Sequence, residues 1–310
     1  MNTSLPSSFS TPSASSAPVG RALVVAGGGA AGNAWAIGFI AGAAEAGVDL
    51  TEADVIIGTS SGSTVAAQIT SGTPTADLYA AIVADAPRPP AGGPRAGSGP
   101  APILSGSSYL DWSNDIIGSS TDASDMRRRM GAAALAADES DGSGSARWRE
   151  TVAARLSSHR WPERRVLIVA VDAYTGDPVV FDRHSGVELV DAVAASTSAM
   201  TPYPLGESRY MNGGYRRNEN ADLAAGYDRV LVLSPFSGRT RYPLEWGMDL
   251  ATQVGELRAG GSTVETVFPD GGAGDVFDAN ALDPSTRRQA ALGGYDQGRA
   301  RAAEIAELWR

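Results

Sequence analysis

Short apolar runs alternate with segments of helical periodicity along most of this chain. The runs are rich in β-branched residues and are flanked by turn residues, a pattern typical of strands buried on both faces. They lie at 21–26, 54–58, 164–171, 178–181 and 229–234. Helices are predicted at 33–46, 62–71, 75–85, 123–137, 146–158, 187–195, 242–259 and 285–309. Strands that alternate with helices predict an α/β fold with a mostly parallel central sheet.

Three stretches interrupt this pattern. Residues 1–20 are rich in Ser and Pro and contain no apolar block, which predicts a disordered tail rather than a secretory signal. Ten of the 16 residues in 87–102 are Pro or Gly, which predicts an irregular loop. Such a loop is either a lid over a binding site or a tolerated surface insertion. A polar linker is predicted at 138–145, and we expect 21–310 to form one domain.

Composition and charge exclude several classes of function. The chain of 310 residues contains no cysteine, so disulfides, thiolate metal sites and cysteine nucleophiles are excluded. Its net charge of −10 argues against nucleic-acid binding, because phosphate contacts require clustered Lys and Arg. No stretch approaches the roughly 18 apolar residues of a membrane span. A cytoplasmic location is therefore the default expectation.

A predicted strand at 54–57 runs into Gly58-Thr59-Ser60-Ser61-Gly62 and then into a predicted helix. This G-x-S-x-G sequence is typical of a nucleophile elbow, in which a tight strand-to-helix turn presents the serine hydroxyl to a substrate. Gly58 and Gly62 allow the backbone to turn that sharply. The alternative is that Ser60 only caps the helix that follows. Ser61 is adjacent but lies outside the register of the elbow.

The first predicted strand ends in a second glycine-rich turn, Gly27-Gly28-Gly29-Ala30-Ala31-Gly32. We expect the amides of Gly28 and Gly29 to stabilise the oxyanion that forms when Ser60 attacks an ester, while Gly27 and Gly32 shape the turn. The same spacing fits a dinucleotide-binding fingerprint. That alternative is disfavoured, because the acidic residue Asp54 lies at the beginning of the second strand rather than at its end.

Together, GGGAAG, GTSSG and the later Tyr210-Met211-Asn212-Gly213-Gly214 resemble the motifs of the patatin-like phospholipases. The resemblance continues through 197–202, 220–224 and 229–235, and residues 293–299 are similar to bacterial members. It implies a three-layer α/β/α sandwich and lipid acyl hydrolysis by a Ser/Asp dyad, without a histidine, a metal or a cofactor. On this basis Ser60 is the nucleophile, Asn212 stands in the place of the base, and Gly213 and Gly214 belong to the third motif.

Position 212 departs from the family pattern, which has Asp where this chain has Asn212. An amide cannot accept the serine proton. In a Ser-His-Asp triad the same replacement lowers kcat about 10⁴-fold, and a dyad loses the base itself. Three explanations are open: an introduced substitution that traps substrate or an acyl-enzyme, a natural variant with lost or altered activity, and recruitment of another base such as Glu219 or Asp222. Ala31 is a second departure, since the family usually has Arg or Lys there.

The leading hypothesis is a serine-dependent hydrolase of lipid or other hydrophobic esters, impaired by Asn212. The alternatives are an acyltransferase and a catalytically silent acyl-binding or regulatory protein on the same fold. His159 and His184 lie in polar stretches, so we expect both to be solvated rather than part of a triad. Expected partners are the ester substrate and, transiently, a membrane surface. The run at 127–129, three arginines, either meets anionic head groups or forms a solvated helix face.

Overall fold

The computed structural model describes residues 20–85, 106–138, 142–274, 276–278 and 280–310. Nearly all of the predicted tail, the whole of the predicted loop at 87–102 and part of the predicted linker at 138–145 lie outside these residues.

One sheet of eight strands is present in the described part of the chain. The strands are β1 (Arg21–Val25), β2 (Val55–Thr59), β3 (Arg165–Asp172), β4 (Pro178–Phe181), β5 (Tyr203–Leu205), β6 (Ser208–Asn212), β7 (Arg229–Leu233) and β8 (Thr263–Val267). Hydrogen-bonded pairing links them in the path β5-β6-β3-β2-β1-β7-β8, and β4 also pairs with β3, on the edge opposite to β2 and β6. β3, β2, β1, β7 and β8 run parallel, whereas β4 and β6 run antiparallel to β3, and β5 pairs antiparallel with β6. The predicted mostly parallel sheet is confirmed.

Helices cover both faces of this sheet. They are α1 (Gly29–Glu45), α2 (Ser61–Ile69), α3 (Thr75–Ala84), α4 (Gly106–Ser119), α5 (Ala123–Ala137), α6 (Ser143–Ala153), α7 (Leu189–Thr197), α8 (Leu250–Ala259) and α9 (Arg287–Trp309). Alternate residues of β1 show the two layers. Leu23 and Val25 belong to an apolar cluster with α1, α2, α7 and α9, whereas Ala22 and Val24 belong to a second cluster with α8. The three-layer architecture implied by the resemblance is confirmed.

The elements differ from the sequence prediction in a few places. α1 begins at Gly29, four residues before the predicted start, because the end of the glycine-rich turn is already helical. The helix predicted at 242–259 begins only at Leu250, since Pro243 and Gly247 interrupt the segment before it. The runs and helices predicted from the sequence do not include α4, β5, β6 or β8. β8 carries Glu265 at its centre and lacks the continuous apolar pattern of the other parallel strands.

Candidate active site

Ser60 lies in a strained turn between β2 and α2. Its backbone has φ 53° and ψ −125°, and non-glycine residues rarely adopt positive φ. An ideal Cβ on Gly62 would lie 2.0 Å from the carbonyl oxygen of Val25, and one on Gly58 would lie 2.6 Å from the Cα of Ser63. Both positions require glycine, because the start of α2 passes directly against the sheet. The Ser60 side chain makes no capping hydrogen bond to α2, so the helix-cap alternative does not describe it.

Two buried serines form hydrogen bonds with the backbone amide and the backbone carbonyl group of Ser60. The Ser60 amide donates to Ser196 Oγ at 3.0 Å, and Ser196, on α7, is completely buried. The Ser60 carbonyl oxygen accepts two hydrogen bonds from Ser63, at 2.9 Å from its amide and 2.6 Å from its hydroxyl. These contacts leave neither backbone group of the strained residue unpaired, which stabilises its conformation.

The pairing of β3 brings Asn212 to Ser60, although 152 positions separate the two residues. β2 and β6 must share one edge of β3, because β4 occupies the other edge over the same residues. Thr59, at the end of β2, is aligned with Val169, and Asn212, at the end of β6, is aligned with Ala170. The two strands run in opposite directions along this edge, so their ends meet.

The Asn212 side chain can only donate to Ser60. Its Nδ2 lies 3.0 Å from Ser60 Oγ, while its Oδ1 accepts the amide of Gly214 at 2.9 Å. Exchanging the oxygen and nitrogen of this amide would place two donors face to face at Gly214. Among the residues that the structure describes, none accepts a hydrogen bond from the Ser60 hydroxyl. The two side chains therefore meet without a proton acceptor between them.

Neighbouring carboxylates do not supply the missing acceptor. Burial favours a raised pKa for Asp222, but its hydrogen bond and ion pair with Arg216, at 2.5 Å, outweigh this and hold the pKa below its usual value. Glu219 is buried and accepts hydrogen bonds from Ser234 and Asn218 at 2.9 and 3.2 Å. Burial raises the pKa of Glu219. Neither carboxylate lines the cavity that contains Ser60, and both histidines are exposed outside it.

Three of the four glycines in the glycine-rich turn have engaged amides. Gly27 donates to the carbonyl oxygen of Asn218 at 3.4 Å, and Gly32 donates to that of Gly28 at 2.8 Å. The Gly28 amide donates to Ser61 Oγ at 2.9 Å. An oxyanion could accept from Gly28 only in exchange for this hydroxyl.

Gly29 differs from these glycines. Its amide, at the start of α1, makes no hydrogen bond within the described residues, and the same is true of the Ser61 amide at the start of α2. Gly29 has φ +62°, and an ideal Cβ on it would lie 2.6 Å from the carbonyl oxygen of Ala281. Glycine is therefore required here by conformation and by space. The two unengaged amides open the two helices that begin beside Ser60.

A cavity of about 630 Å³ opens over Ser60, within the size range of ligand pockets. Its floor contains Gly27, Gly28, Gly29, Ser60 and Asn212. Its apolar walls are formed by Leu110, Ala199, Met200, Phe236, Phe277, Ala281 and Leu282. Polar groups, including Arg239, Arg241 and Asp278, also line it. An apolar chamber with charged groups in its wall can hold an amphipathic ester.

Comparison with known families agrees with this geometry. The family model described as patatin-like phospholipase matches residues 23–225. The chain belongs to the patatin-like phospholipase family. The matched segment of this patatin-like chain contains both Ser60 and Asn212, and it ends before α8 and α9. No curated protein matches the sequence.

Family membership places the chain among the lipid acyl hydrolases, and lipids are the substrates that a patatin-like phospholipase implies. No helix in the described ranges combines the length and the apolar character needed to cross a membrane.

The sequence gives little indication of some residues that support the patatin-like site. Ser196 is one small residue at the end of an apolar helix, 136 positions from its partner Ser60. Asn220 lies in a segment that resembles the family, but its hydrogen bonds to Thr59 Oγ1 at 3.0 Å and to the Gly213 carbonyl oxygen at 3.2 Å are visible only in the fold. These contacts tie the third motif to β2.

Proposed function

We propose that the chain is a serine-dependent acyl hydrolase of lipids or other hydrophobic esters, with low turnover because Asn212 occupies the position of the base. Ser60 attacks the ester carbonyl carbon while its proton passes to water, and the amides of Gly29 and Ser61 stabilise the oxyanion. The intermediate then expels the alcohol, which takes a proton from water, and a second water molecule hydrolyses the acyl-enzyme. Gly28, whose own amide is engaged, contributes by placing Gly29. The N-terminus of α2 adds its partial positive charge at the same point.

The size and composition of the cavity support a hydrophobic ester as substrate. Met200, Phe236 and Leu282 offer an acyl chain a largely apolar surface beside Ser60. Arg239, Arg241 and Asp278 give the same cavity a charged region for the polar end of the molecule, in which Arg239 and Asp278 form an ion pair with each other. The ester bond of an amphipathic molecule lies between such ends.

The observation that carries this proposal is the pair of hydrogen bonds made by the Asn212 amide. An aspartate in the same position would accept from the Gly214 amide with one oxygen and from the Ser60 hydroxyl with the other. Asn212 keeps the first contact and reverses the second. The Ser60 oxygen then receives a hydrogen bond instead of losing its proton, which lowers its reactivity as a nucleophile.

Restoring the carboxylate tests this proposal. Asn212→Asp should raise both hydrolysis of a p-nitrophenyl ester and labelling by a fluorophosphonate by orders of magnitude, about 10⁴-fold if a lost base has its usual effect. Ser60→Ala should abolish both signals in either background. An Asn212→Asp protein that is folded but no faster than its parent would contradict the role of position 212. Undiminished turnover by Ser60→Ala would contradict the nucleophile.

A second candidate, a catalytically silent acyl-binding protein, is favoured by the same reversed hydrogen bond. In that case the cavity over Ser60 binds acyl chains and the serine stays inert. The parent would then bind a fluorescent fatty acid, and Asn212→Asp would leave fluorophosphonate labelling of Ser60 as slow as before. The hydrolase predicts rapid labelling of the same variant.

A further inference from the structure

Any side chain that holds the glycine-rich turn must come from outside it. Residues 27–32 are only Gly and Ala, so no side chain of the turn can form a hydrogen bond. Glycine also has more backbone freedom than any other residue, and the turn contains four of them. Yet the Gly29 amide can stabilise an oxyanion only if it points to one place before the substrate arrives.

Ser61 is the one described side chain that hydrogen-bonds an amide of this turn. Its Oγ accepts the Gly28 amide at 2.9 Å, across 33 positions of sequence. It also lies 3.8 Å from the place of an ideal Cβ on Gly32. The hydroxyl is thus positioned against both ends of the 28–32 segment, whose other fixed points are backbone contacts.

The location of Ser61 separates two possible roles of its hydroxyl. A hydroxyl that stands in for the oxyanion would lie in the substrate cavity, in front of the turn. Gly27, Gly28, Gly29 and Ser60 line that cavity, but Ser61 does not. Ser61 therefore lies outside the space that a substrate would fill, so a substrate can occupy the cavity without displacing the contact with Gly28.

We propose that Ser61 is a positioning residue, whose hydroxyl fixes the Gly28 peptide and thereby aims the Gly29 amide at the substrate carbonyl oxygen. This inference rests on the proposed function, since it assigns Ser61 to the oxyanion site of that hydrolase. The Ser61 hydroxyl holds the peptide unit that joins Gly27 to Gly28, and the Gly32 amide holds the carbonyl oxygen of the next unit, which carries the Gly29 amide, at 2.8 Å. With the unit before Gly28 held in place, the backbone of Gly28 has less freedom to redirect the Gly29 amide. Without the anchor, the amide samples several directions and the transition state receives a weaker hydrogen bond.

Two variants and a control isolate this hydroxyl. Ser61→Ala removes it, Ser61→Thr keeps it, and Ser71→Ala removes a hydroxyl that donates to the Gln68 carbonyl oxygen just beyond the other end of α2. Each is made in the parent and in Asn212→Asp. Loss of a whole oxyanion donor costs roughly 10²–10³-fold in rate. We expect Ser61→Ala to lower kcat by about 10-fold or more with little change in KM. Ser61→Thr should restore most of the activity that Ser61→Ala loses, and Ser71→Ala should stay near the parent.

A thionoester sharpens the kinetic test, because its sulfur is a weak hydrogen-bond acceptor. If Ser61 acts through the oxyanion amide, Ser61→Ala should slow hydrolysis of the ordinary ester more than that of the matched thionoester. A general loss of folding or of nucleophile placement would slow both substrates equally.

Amide hydrogen exchange keeps the inference testable when turnover is too low to measure. Peptides that contain 27–32 should exchange faster in Ser61→Ala than in the parent, Ser61→Thr or Ser71→Ala. Unchanged exchange, or an equal loss of activity in Ser61→Ala and Ser61→Thr, would overturn the anchor. Activity that survives Ser60→Ala would instead overturn the proposed function, and the exchange result would still decide whether Ser61 holds the turn.

Discussion

Asparagine and aspartate have the same shape, so position 212 can keep its contact with the Gly214 amide whichever residue it holds. The difference lies in the second terminal atom of the side chain, 3.0 Å from Ser60 Oγ. As nitrogen it donates to the hydroxyl, and as oxygen it would accept the proton. The strained turn and the cavity around Ser60 do not depend on that atom. The consequence of Asn212 is therefore chemical rather than architectural.

Ser196 offers a prediction about the strain at Ser60. Ser196→Ala would leave the Ser60 amide without its acceptor, which typically costs about 1–3 kcal/mol. The positive φ of Ser60 would then be less well supported, so the hydroxyl would be presented less often to the substrate. We expect labelling by a fluorophosphonate, measured in Asn212→Asp, to slow by about 10-fold, the effect of roughly 1.4 kcal/mol.

Ser198→Ala is the matched control for this change. Ser198 is also buried, but its hydroxyl donates to the Ala194 carbonyl oxygen within the same helical segment, at 2.8 Å. Ser198→Ala in the Asn212→Asp background should be labelled as fast as Asn212→Asp itself. It should lose about as much stability as Ser196→Ala does. Equal slowing in both variants would show that packing of α7, and not the acceptor for Ser60, sets the rate.

The sequence reveals residues whose role is set by local geometry. The sequence predicts the roles of Gly58, Ser60 and Gly62, because a tight strand-to-helix turn requires small residues at a fixed spacing. The sequence does not predict the hydrogen bonds of Ser196 and of the Ser61 hydroxyl, because their partners lie 136 and 33 positions away. In the sequence, a serine at either position looks the same whether or not it forms such a hydrogen bond. Only the fold identifies the contact.

At the scale of elements, α1 is buried between the sheet and α9. Two pairs of glycines, each four positions apart, allow the two helices to touch: Gly38 and Gly42 on α1, and Gly294 and Gly298 on α9. An ideal Cβ on any of them would lie 2.1 to 2.2 Å from a carbonyl oxygen of the other helix. α1 also carries Gly29, so the fit of α9 helps to fix the start of the helix that opens the proposed oxyanion site.

Alanine substitutions at two helical glycines should have opposite signs. Gly298→Ala places its methyl group against the carbonyl oxygen of Phe39, and overpacking of this kind costs about 1–3 kcal/mol. Gly255, on α8, has open space around its Cβ position, so Gly255→Ala should gain about 1 kcal/mol from helix propensity. Thermal unfolding should show a Tm several degrees lower for Gly298→Ala and a few degrees higher for Gly255→Ala. A rise in Tm for both would refute the close helix contact.

The element prediction succeeds where the apolar pattern is continuous and fails where another requirement shapes the sequence. The first strands are readable from their β-branched residues, which are buried on both faces. The sequence predicts a loop at the first turn of α1, because the glycines needed around Ser60 are typical of turns rather than of helices. Residues 242–249 read as helix from their apolar spacing, yet Pro243 and the positive φ of Gly247 prevent it.

At the scale of the whole molecule, the floor of the cavity lies within the family segment, whereas part of its apolar wall comes from the chain that follows that segment. Ser60 and Asn212 lie within the segment that matches the family, at 23–225. Phe236, Phe277 and Leu282 line the cavity but follow that segment. The family motifs therefore make the chemistry predictable from sequence. The head group and chain length that the cavity accepts depend on walls whose arrangement no motif encodes.

The pH dependence of folding gives a prediction at this same scale, through Glu219. This residue is 2% exposed, and no ion pair with it exists among the described residues. Burial raises its pKa above the ordinary value of 4.5, in spite of hydrogen bonds from Asn218 and Ser234. The folded protein thus holds this proton at pH values where the unfolded chain has released it.

The sign of the pH effect follows from that difference. Above about pH 4.5 the unfolded chain binds fewer protons than the folded protein at this site, so the contribution of Glu219 to stability falls as pH rises toward its folded pKa. Glu219→Gln removes the titration, and urea unfolding at several pH values between 5 and 8 should show a shallower loss of stability than in the parent. Glu207→Gln, at an exposed turn between β5 and β6, should keep the slope of the parent. If Glu219→Gln and the parent lose stability in parallel across this range, Glu219 does not hold its proton in the folded state.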